Sequence, residues 1–313
     1  MVNTMKRFFL TLLLLHIPVA AAADGLKIGL LQIEDSVPFY VAQQEGFFEQ
    51  EQVEVELVPF LSALERDSAL TAEAIDGAIS DPIGAILLDQ GRGQIKITSL
   101  GLGKTPAEGG FAILAGPGSG IDSVEGLKNT EIAVSTSTII EYVTDRLLTR
   151  QGFSNDEIRK VDVKKMPIRM QMLLSGSVKA ATLPEPLASI AAGKGAKILI
   201  KDTDTDVSLS QTVIIFRSDA LKGKKAAVAS LFRAYGRAVQ AINSDPEKYR
   251  SLVVDKGRIP PFMAADYPIA AYPAPEPFSR ELYEPAAAWL ADKGLVAPVP
   301  YEHIVAVDFM DPR

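Results

Sequence analysis

The sequence predicts an α/β fold of two lobes with a ligand cleft between them. Short apolar runs typical of buried strands alternate with stretches of helical spacing, and this alternation restarts after a turn-rich stretch at Gly116 to Gly120. The chain has 313 residues, 47% of them hydrophobic, which is enough for two separate cores. We therefore expect two doubly wound units rather than one.

The first unit begins with an apolar strand at Leu26 to Leu31, followed by helical spacing from Pro38 to Gln50. Val53, Val55 and Leu57 alternate with glutamates in the period-2 pattern of a strand that has one wet face. The other elements predicted here are a helix at Leu61 to Ala74, a strand at Ile75 to Ser80, a helix from Pro82 to about Gln90 and a strand at Ile95 to Leu100. Strands and helices that alternate at these lengths predict a parallel sheet.

The second unit repeats this order. Its predicted strands are Ile132 to Ser135, Lys160 to Lys165, Lys179 to Leu183 and Ala196 to Ile200, and its predicted helices are Ile139 to Arg150, Pro167 to Ser175 and Pro186 to Ala192. The β-branched run from Ser208 to Phe216 predicts a strand that returns to the first unit. Amphipathic stretches at Lys224 to Asn243 and Arg280 to Lys293 predict long helices packed on the first sheet.

Two crossings between the lobes are expected, near residues 101–115 and 205–215. This places residues 24–104 and 212–313 in lobe 1 and residues 105–211 in lobe 2. A cleft between two lobes is a usual place for a small ligand, and closure about a hinge is the expected motion.

Residues 1–23 have the pattern of a secretory signal peptide. Lys6 and Arg7 precede an apolar run from Phe8 to Val19, and four alanines follow it. The alternative of a membrane anchor is disfavoured because the run is shorter than the roughly 20 residues a spanning helix needs and Pro18 interrupts it. We predict cleavage near Ala23 and a soluble protein of the periplasm. Without any cysteine, neither disulfides nor a lipid-modified cysteine can form.

Charge and histidine content exclude several classes of function. Removing Lys6 and Arg7, with no acidic residue, changes the formal charge from -7 to -9, which argues against a nucleic-acid partner. The mature chain would keep one histidine, His303, and no cysteine, so a Ser-His-Asp triad, a cysteine nucleophile and a His/Cys zinc site are all disfavoured. We expect no enzyme activity, no cofactor, no metal and a monomeric protein.

Candidate ligand-binding residues of the first unit lie just beyond the carboxyl ends of its strands, where ligands of doubly wound sheets bind. They are Gln32, Glu34, Asp35 and Ser36 after the first strand, and Ser80 and Asp81 after the third. For the three acidic side chains, capping of the next helix is an equally open interpretation, because carboxylates satisfy free amides at helix N-termini.

In the second unit, Ser135, Thr136 and Ser137 precede a helix, where exposed amides and hydroxyls can hold an oxyanion. The alternative is structural, because Thr138 and Glu141 have the spacing of a reciprocal capping box. Capping would use Thr138 and leave the three preceding residues available to a ligand.

Three further candidates are an aromatic and two charged side chains. Tyr142 could stack on a flat ligand, whereas Phe39 and Tyr40 are more typical of core positions. Arg169 could pair with an anionic group or form a salt bridge. Glu185 follows a strand and could accept hydrogen bonds from an amine or amidine, since a desolvated carboxylate needs a partner.

Several segments together resemble periplasmic solute-binding proteins of the sulfonate, taurine, nitrate and thiamine-pyrimidine group. They are Leu31 to Ala42, Gly46 to Glu49, Val53 to Val58, Ala69-Leu70, Ile75-Asp76, Glu185-Pro186, Trp289-Leu290, Lys293 to Leu295 and Phe309. Glu73 departs from the group, in which a small residue, usually glycine, is common before the Ile-Asp pair. The resemblance implies the type II periplasmic-binding-protein fold and delivery of a ligand to an inner-membrane ABC permease.

The resulting expectation is the substrate-binding component of an ABC importer that closes its lobes on a small polar solute. The solute is an amine-bearing heterocycle or a sulfonate-like compound, and the scarcity of basic residues at the strand ends favours the former. Two alternatives stay open: an enzyme on the same fold that resembles a thiamine-pyrimidine synthase, and an exported ligand-sensing partner of a receptor.

Overall fold

The computed structural model of the protein describes residues 25–307. The predicted signal peptide with its cleavage site and Phe309 lie outside these residues. No helix between residues 25 and 307 is long and apolar enough to cross a membrane.

Two five-stranded sheets form the frame, and we call the parts built on them lobe 1 and lobe 2. The sheet of lobe 1 has the order β2-β1-β3-β10-β4, made of β1 Leu26–Leu31, β2 Val55–Phe60, β3 Gly77–Ser80, β4 Ile95–Leu102 and β10 Thr212–Arg217. The sheet of lobe 2 has the order β7-β6-β8-β5-β9, made of β5 Phe111–Ala115, β6 Glu131–Val134, β7 Arg159–Asp162, β8 Ala180–Pro184 and β9 Lys197–Lys201.

Both sheets are mixed, so the prediction of a parallel sheet is wrong for one strand in each lobe. β10 runs antiparallel to β3 and β4, and β5 runs antiparallel to β8 and β9. The physical reason is the connection: each of these strands enters its sheet directly from the other lobe, without the crossover helix that makes neighbouring strands parallel. We propose that the lobes divide within these two crossings, after residue 104 and before residue 212.

The two crossings touch at Gly103. Ser208 Oγ donates to the Gly103 carbonyl oxygen at 2.6 Å. Gly103 has a φ of +89°, and a Cβ at this position would lie 2.3 Å from the Ser210 carbonyl oxygen. A side chain is therefore excluded where the two connections between the lobes pass each other.

Helices cover both faces of the two sheets. They are α1 Val37–Gln44, α2 Phe47–Gln50, α3 Ala63–Thr71, α4 Pro82–Asp89, α5 Ile139–Arg150, α6 Met166–Leu174, α7 Leu187–Gly193, α8 Ser218–Gly223, α9 Lys225–Ser244, α10 Arg250–Gly257, α11 Pro261–Ala264, α12 Arg280–Asp292 and α13 Tyr301–Ile304. Phe39 is fully buried between the sheet of lobe 1 and α9, where it packs on Tyr235, as predicted for a core residue.

Local backbone geometry explains two departures from the sequence-based expectations. The helix predicted over Pro38 to Gln50 is divided into α1 and α2, because Gly46 takes a left-handed φ of +67°. Glu73 stands at a left-handed φ of +59° after α3, so it adopts the conformation for which glycine is favoured. The turn before Ile75 and Asp76 is therefore kept without glycine.

The sequence predicted that the long C-terminal helix α12 packs on the sheet of lobe 1, but the helix is not confined to that lobe. Its side chains join the core beside α4, but Trp289 packs edge-on against Tyr142 of α5, with ring centroids 5.6 Å apart. Helix α12 therefore contacts both lobes.

Replacing Gly103 with alanine tests the contact between the crossings. We expect Gly103→Ala to lower the midpoint of thermal unfolding by about 4 °C or more, because it combines an unfavourable φ with a backbone clash. Gly223→Ala, in α8 with nothing near its Cβ position, serves as the control and should not lower the midpoint. An equal midpoint for both variants in differential scanning calorimetry would contradict this account.

Candidate ligand-binding site

A cavity of about 550 Å³ lies between the lobes beside the crossings. Five carboxylates line it, and we call it the acidic cavity after four of them that come from the ends of strands: Glu34, Asp35, Glu185 and Asp202. Glu34 and Asp35 follow β1 in lobe 1, whereas Glu185 follows β8 and Asp202 follows β9 in lobe 2. Both lobes therefore present carboxyl groups to the same volume, which has the size of a small-molecule pocket.

Two tyrosines of lobe 1 hold the chain at Glu34. Tyr267 donates its hydroxyl hydrogen to Glu34 Oε1 at 3.0 Å, and Tyr272 donates to the Glu34 carbonyl oxygen at 2.9 Å. Tyr272 is in turn fixed to α9 by two hydrogen bonds with the side-chain amide of Asn243. The position of Glu34 is therefore set by a segment that lies far along the chain, after α11.

Hydrogen bonds within the protein engage the other three carboxylates unequally. Thr212 Oγ1 donates to Asp35 Oδ1 at 2.7 Å. Both oxygens of Glu185 accept hydrogen bonds from Ser189, and both oxygens of Asp202 accept, from Ser210 Oγ and from the Phe111 amide.

Across residues 25–307, hydrogen bonds from protein groups reach only one side-chain oxygen of Glu34 and one of Asp35. These two carboxylates have the greatest remaining capacity to accept from a ligand.

Burial raises the pKa of all four carboxylates. It is the main cause that raises the pKa of Glu34 to about 8, and the charges of Glu185 and Asp35 add to it. Burial also raises the pKa of Asp202 to about 6 and raises the pKa of Asp35 and of Glu185. Glu34 therefore holds a proton at neutral pH unless a cation takes its place.

The other charged groups at the walls do not balance these carboxylates. Lys201 is the basic residue in the lining, and its charge lowers the pKa of Glu185. Glu108 also lines the cavity, but its carboxylate accepts from the amides of Gly103 and Lys104 and from Thr105 Oγ1. The acidic cavity is thus suited to a cation that donates several hydrogen bonds, such as an amine or amidine.

A second, much smaller cavity of about 40 Å³ lies where the N-termini of α4 and α5 approach each other. We call it the helix-terminal cavity, and its polar walls are Arg66, Ser80, Asp81, Ser135, Thr138, Lys164 and Thr212. It shares Phe111 and Pro184 with the acidic cavity, so the two form adjoining parts of one cleft.

The helix-terminal cavity has unsatisfied donors near it. Ser80 Oγ is buried without a hydrogen-bond partner, and so are Nε and Nη2 of Arg169. Arg169 donates through Nη1 to Ser135 Oγ at 2.8 Å and to the Val163 carbonyl oxygen. Burial lowers the pKa of Arg169 to about 9. Among the described residues, Arg169 forms no salt bridge and does not line the cavity. Its hydrogen bond to Ser135 therefore supports a wall residue of the cavity.

The capping interpretation holds for one of the three acidic candidates. Asp81 Oδ1 accepts from the Gly84 amide at 2.8 Å and caps α4, and burial raises its pKa to about 6 although the Arg66 charge lowers it. Glu34 and Asp35 cap no helix, because a short 3₁₀ turn places their side chains toward Tyr267 and Thr212.

The predicted capping box at the start of α5 is wrong in its reciprocal form. Thr138 Oγ1 accepts from the Ile140 amide rather than from Glu141, and Glu141 Oε2 accepts from the Ser137 amide at 2.7 Å. Glu141 reaches one residue further back because Ser137 has a left-handed φ of +60°.

Besides Arg169, five of the predicted site residues do not line either cavity of the cleft. Ser36 is buried and donates to the Leu31 carbonyl oxygen, and Tyr142 lines a separate cavity on the α12 side. Gln32 is half-buried after β1, while the amides of Thr136 and Ser137 pair with Asp162 and Glu141. The structure places these residues as supports, and Glu34, Asp35, Ser80, Asp81, Ser135 and Glu185 at the walls.

Sequence reasoning missed Asp202, Tyr267, Tyr272 and Arg66. Asp202 directly follows the strand β9, so the rule that selected Glu185 would have selected it too. The tyrosines lie in an irregular segment, and Arg66 lies within a helix, so local pattern gives no signal for any of them. No group of histidine, cysteine, aspartate or glutamate side chains in the described chain is arranged to hold a metal ion.

The family follows from the sequence comparison. A family model described as NMT1/THI5 like matches residues 33–249, which is more than half of the chain. The chain belongs to the NMT1/THI5-like family. No curated protein shows significant sequence similarity to this NMT1/THI5-like protein.

Solved structures show the same fold. The alkanesulfonate-binding protein SsuA from Xanthomonas axonopodis pv. citri, bound to MOPS, has a TM-score of 0.76 at 18% identity, over 92% of this chain and 100% of that one. The ligand-binding component of an ABC-type import system from Staphylococcus aureus, with zinc bound, has a TM-score of 0.75 at 18% identity, over 91% and 97%. The predicted fold of the NMT1/THI5-like protein, that of periplasmic binding proteins, is thereby confirmed.

The fold is not restricted to transport proteins. A mutant of DSZB in complex with biphenyl-2-sulfinic acid has a TM-score of 0.66 at 14% identity, over 92% of this chain and 97% of that one. At such identities the likeness establishes the fold of the NMT1/THI5-like protein, and its ligand has to be argued from the cleft.

The pKa of Glu34 predicts how stability depends on pH. Because burial raises this pKa to about 8, the folded protein holds a proton that the unfolded chain releases near pH 4.3, the ordinary value for glutamate. Below about pH 4.3 this proton makes its full contribution to the free energy of unfolding, and the contribution is lost as the pH rises toward 8. The unfolding midpoint should therefore fall between about pH 6 and pH 8 in the unliganded protein.

Glu34→Gln should flatten this fall, as followed by thermal unfolding in a pH series. Glu56→Gln is the control, because Glu56 is exposed on β2 and ion-paired with Lys27. Identical slopes for Glu34→Gln and the unmodified protein would show that Glu34 is not the group responsible.

Proposed function

We propose that this protein is the substrate-binding component of an ABC importer and that its solute carries an amine or amidine. The single observation that carries the ligand class is the acidic cavity, in which Glu34 and Asp35 of lobe 1 face Glu185 and Asp202 of lobe 2. The family and the fold support the transport function. The segment before residue 24, with its signal-peptide pattern, supports export to the periplasm.

The carboxylates of the acidic cavity also give a reason for the two lobes to close on the ligand. In the unliganded protein, bringing the lobes together places carboxylates of both lobes in a poorly hydrated volume, which is unfavourable unless they bind protons. A cationic solute neutralises them and donates hydrogen bonds to both lobes at once. The ligand thus stabilises the closed arrangement by removing a repulsion as well as by adding contacts.

The remainder of the solute extends toward the helix-terminal cavity past Phe111 and Pro184. There, Ser80, whose hydroxyl has no partner among the described residues, and the amides at the start of α5 other than those of Ser137 and Ile140 can bind a hydrogen-bond acceptor, including a sulfonate or carboxylate oxygen. An amine-bearing heterocycle supplies this acceptor with a ring nitrogen or a hydroxyl, and an aminosulfonate supplies it with its sulfonate. A sulfonate without an amine leaves the acidic cavity uncompensated.

Delivery to an inner-membrane permease completes the proposed function, with the protein acting as a monomer and without a nucleic-acid partner. A catalytic function on this fold is the second candidate, favoured by the DSZB structure. The histidine and cysteine content disfavours it, because His303 lies on α13 with its ring near Asp89, outside both cavities of the cleft. A receptor-docking role is compatible with the same ligand chemistry.

Matched solutes test the ligand class. Taurine and ethanesulfonate differ by one amino group, and 4-amino-5-aminomethyl-2-methylpyrimidine differs in the same way from its 5-methyl analogue. Isothermal titration calorimetry near neutral pH should show the member with the additional aliphatic amino group binding at least about tenfold more tightly in each pair, the scale of one charge-assisted hydrogen bond. Tighter binding of ethanesulfonate than of taurine contradicts the proposal.

Variants of the acidic cavity provide the second test. Glu34→Gln and Glu185→Gln should each weaken binding of the best amine by about tenfold or more, because each removes a charge that faces the cation. Binding should also release protons, measured as a dependence of the heat on buffer ionisation, and Glu34→Gln should reduce that release. Glu56→Gln, which lies on the surface, is the control and should leave affinity unchanged.

A further inference from the structure

A cluster of four charged side chains and a tryptophan joins the lobes away from the cleft. Lys293, which follows α12, places its Nζ 2.7 Å from Glu141 Oε1 and 2.9 Å from Asp145 Oδ2, both on α5. Lys160 of β7 contacts the same two carboxylates at 2.8 and 2.6 Å. Trp289 Nε1 also donates to Asp145 Oδ2 at 3.1 Å. We call these five side chains the clasp.

The clasp differs from the ordinary ion pairs on the surface of this protein. The side chains of Glu141 and Asp145 are 9% and 12% exposed, and two lysines balance the two carboxylates. Burial acts to raise the pKa of Glu141, but the hydrogen bonds from Lys160 and Lys293 outweigh it and hold the pKa at about 2. A partly buried and fully paired cluster depends on each member, because removing one leaves a desolvated charge without its partner.

Glu141 also connects the clasp to the cleft. Its second oxygen, Oε2, accepts from the Ser137 amide at 2.7 Å. Ser137 has a φ of +60°, which is unfavourable for a residue other than glycine and persists only where surrounding contacts hold it. The loop 135–138 that contains it lines the helix-terminal cavity through Ser135 and Thr138.

We propose that the clasp holds the loop 135–138 in its cleft-facing conformation and makes this conformation depend on the position of lobe 1. Lys293 of lobe 1 acts as a positioning residue: it fixes Glu141, and Glu141 fixes the Ser137 amide. When α12 and α5 separate, Glu141 loses one of its two lysines and the loop loses its restraint. Only the significance of the loop for a ligand rests on the proposed function.

Hydrogen–deuterium exchange of the unliganded mature chain tests the clasp without any ligand. In Lys293→Met and Glu141→Gln, amides of the segment 134–141 should exchange about fivefold faster or more, because an anchored amide becomes free to open. Lys293→Arg should restore slow exchange, since it keeps the positive charge.

Lys224→Met is the matched control. Lys224 is 26% exposed, against 30% for Lys293, and it pairs with Asp76 entirely within lobe 1. Faster loop exchange in Lys224→Met would indicate general destabilisation and contradict the proposal. Loop exchange that responds to Glu141→Gln but not to Lys293→Met would show that lobe 1 does not control the loop, which also contradicts it.

The distance between the lobes provides an independent readout. Because the chain has no cysteine, spin labels can be attached at Ser68→Cys on α3 and Gln171→Cys on α6, both exposed positions. Lys293→Met should broaden the distance distribution, and Lys293→Arg and Lys224→Met should not. An unchanged distribution in Lys293→Met overturns the proposal, whichever solute the protein binds.

Discussion

Carboxylates from both lobes are removed from water between the two sheets, and their need for partners determines the contacts around the cleft. A carboxylate in a poorly hydrated cavity must find a proton, a hydrogen-bond donor or a cation. In the acidic cavity Asp202 and Glu185 are satisfied on both oxygens by nearby groups, whereas Glu34 and Asp35 keep accepting capacity. This remaining capacity is the basis of the proposed ligand class, a positively charged donor.

The topology explains why these groups meet. Parallel strands end at the same edge of each sheet, so the residues after β1, β8 and β9 all face the space between the sheets. The crossing strand β10 adds Thr212, which holds Asp35. The helix-terminal cavity lies at the N-termini of α4 and α5. The clasp connects α5 to lobe 1 through Lys293. Paired charges thus stabilise the clasp, and in the proposed function a ligand would provide the corresponding positive charge in the acidic cavity.

Much of this organisation could be predicted from the sequence. Apolar periodicity located every described strand except β5, and the position after a strand identified Glu34, Asp35 and Glu185 as cavity residues. Periodicity gives no strand direction, so the antiparallel course of β5 and β10 was missed. It also gives no long-range contacts: Tyr267 reaches Glu34 from an irregular segment, and Lys293 reaches Glu141 across the lobes. Spacing alone predicted a capping box for Glu141, but two lysines and the left-handed Ser137 decide its actual partners.

We propose that the cleft selects a solute by its positive charge. Native mass spectrometry of the protein isolated from its own host, followed by identification of the released compound, measures this selection. We expect a small solute that carries an amine or amidine, retained at neutral pH and released as the pH falls and Glu34 takes up its proton. A retained sulfonate or other anion without any basic nitrogen would contradict it.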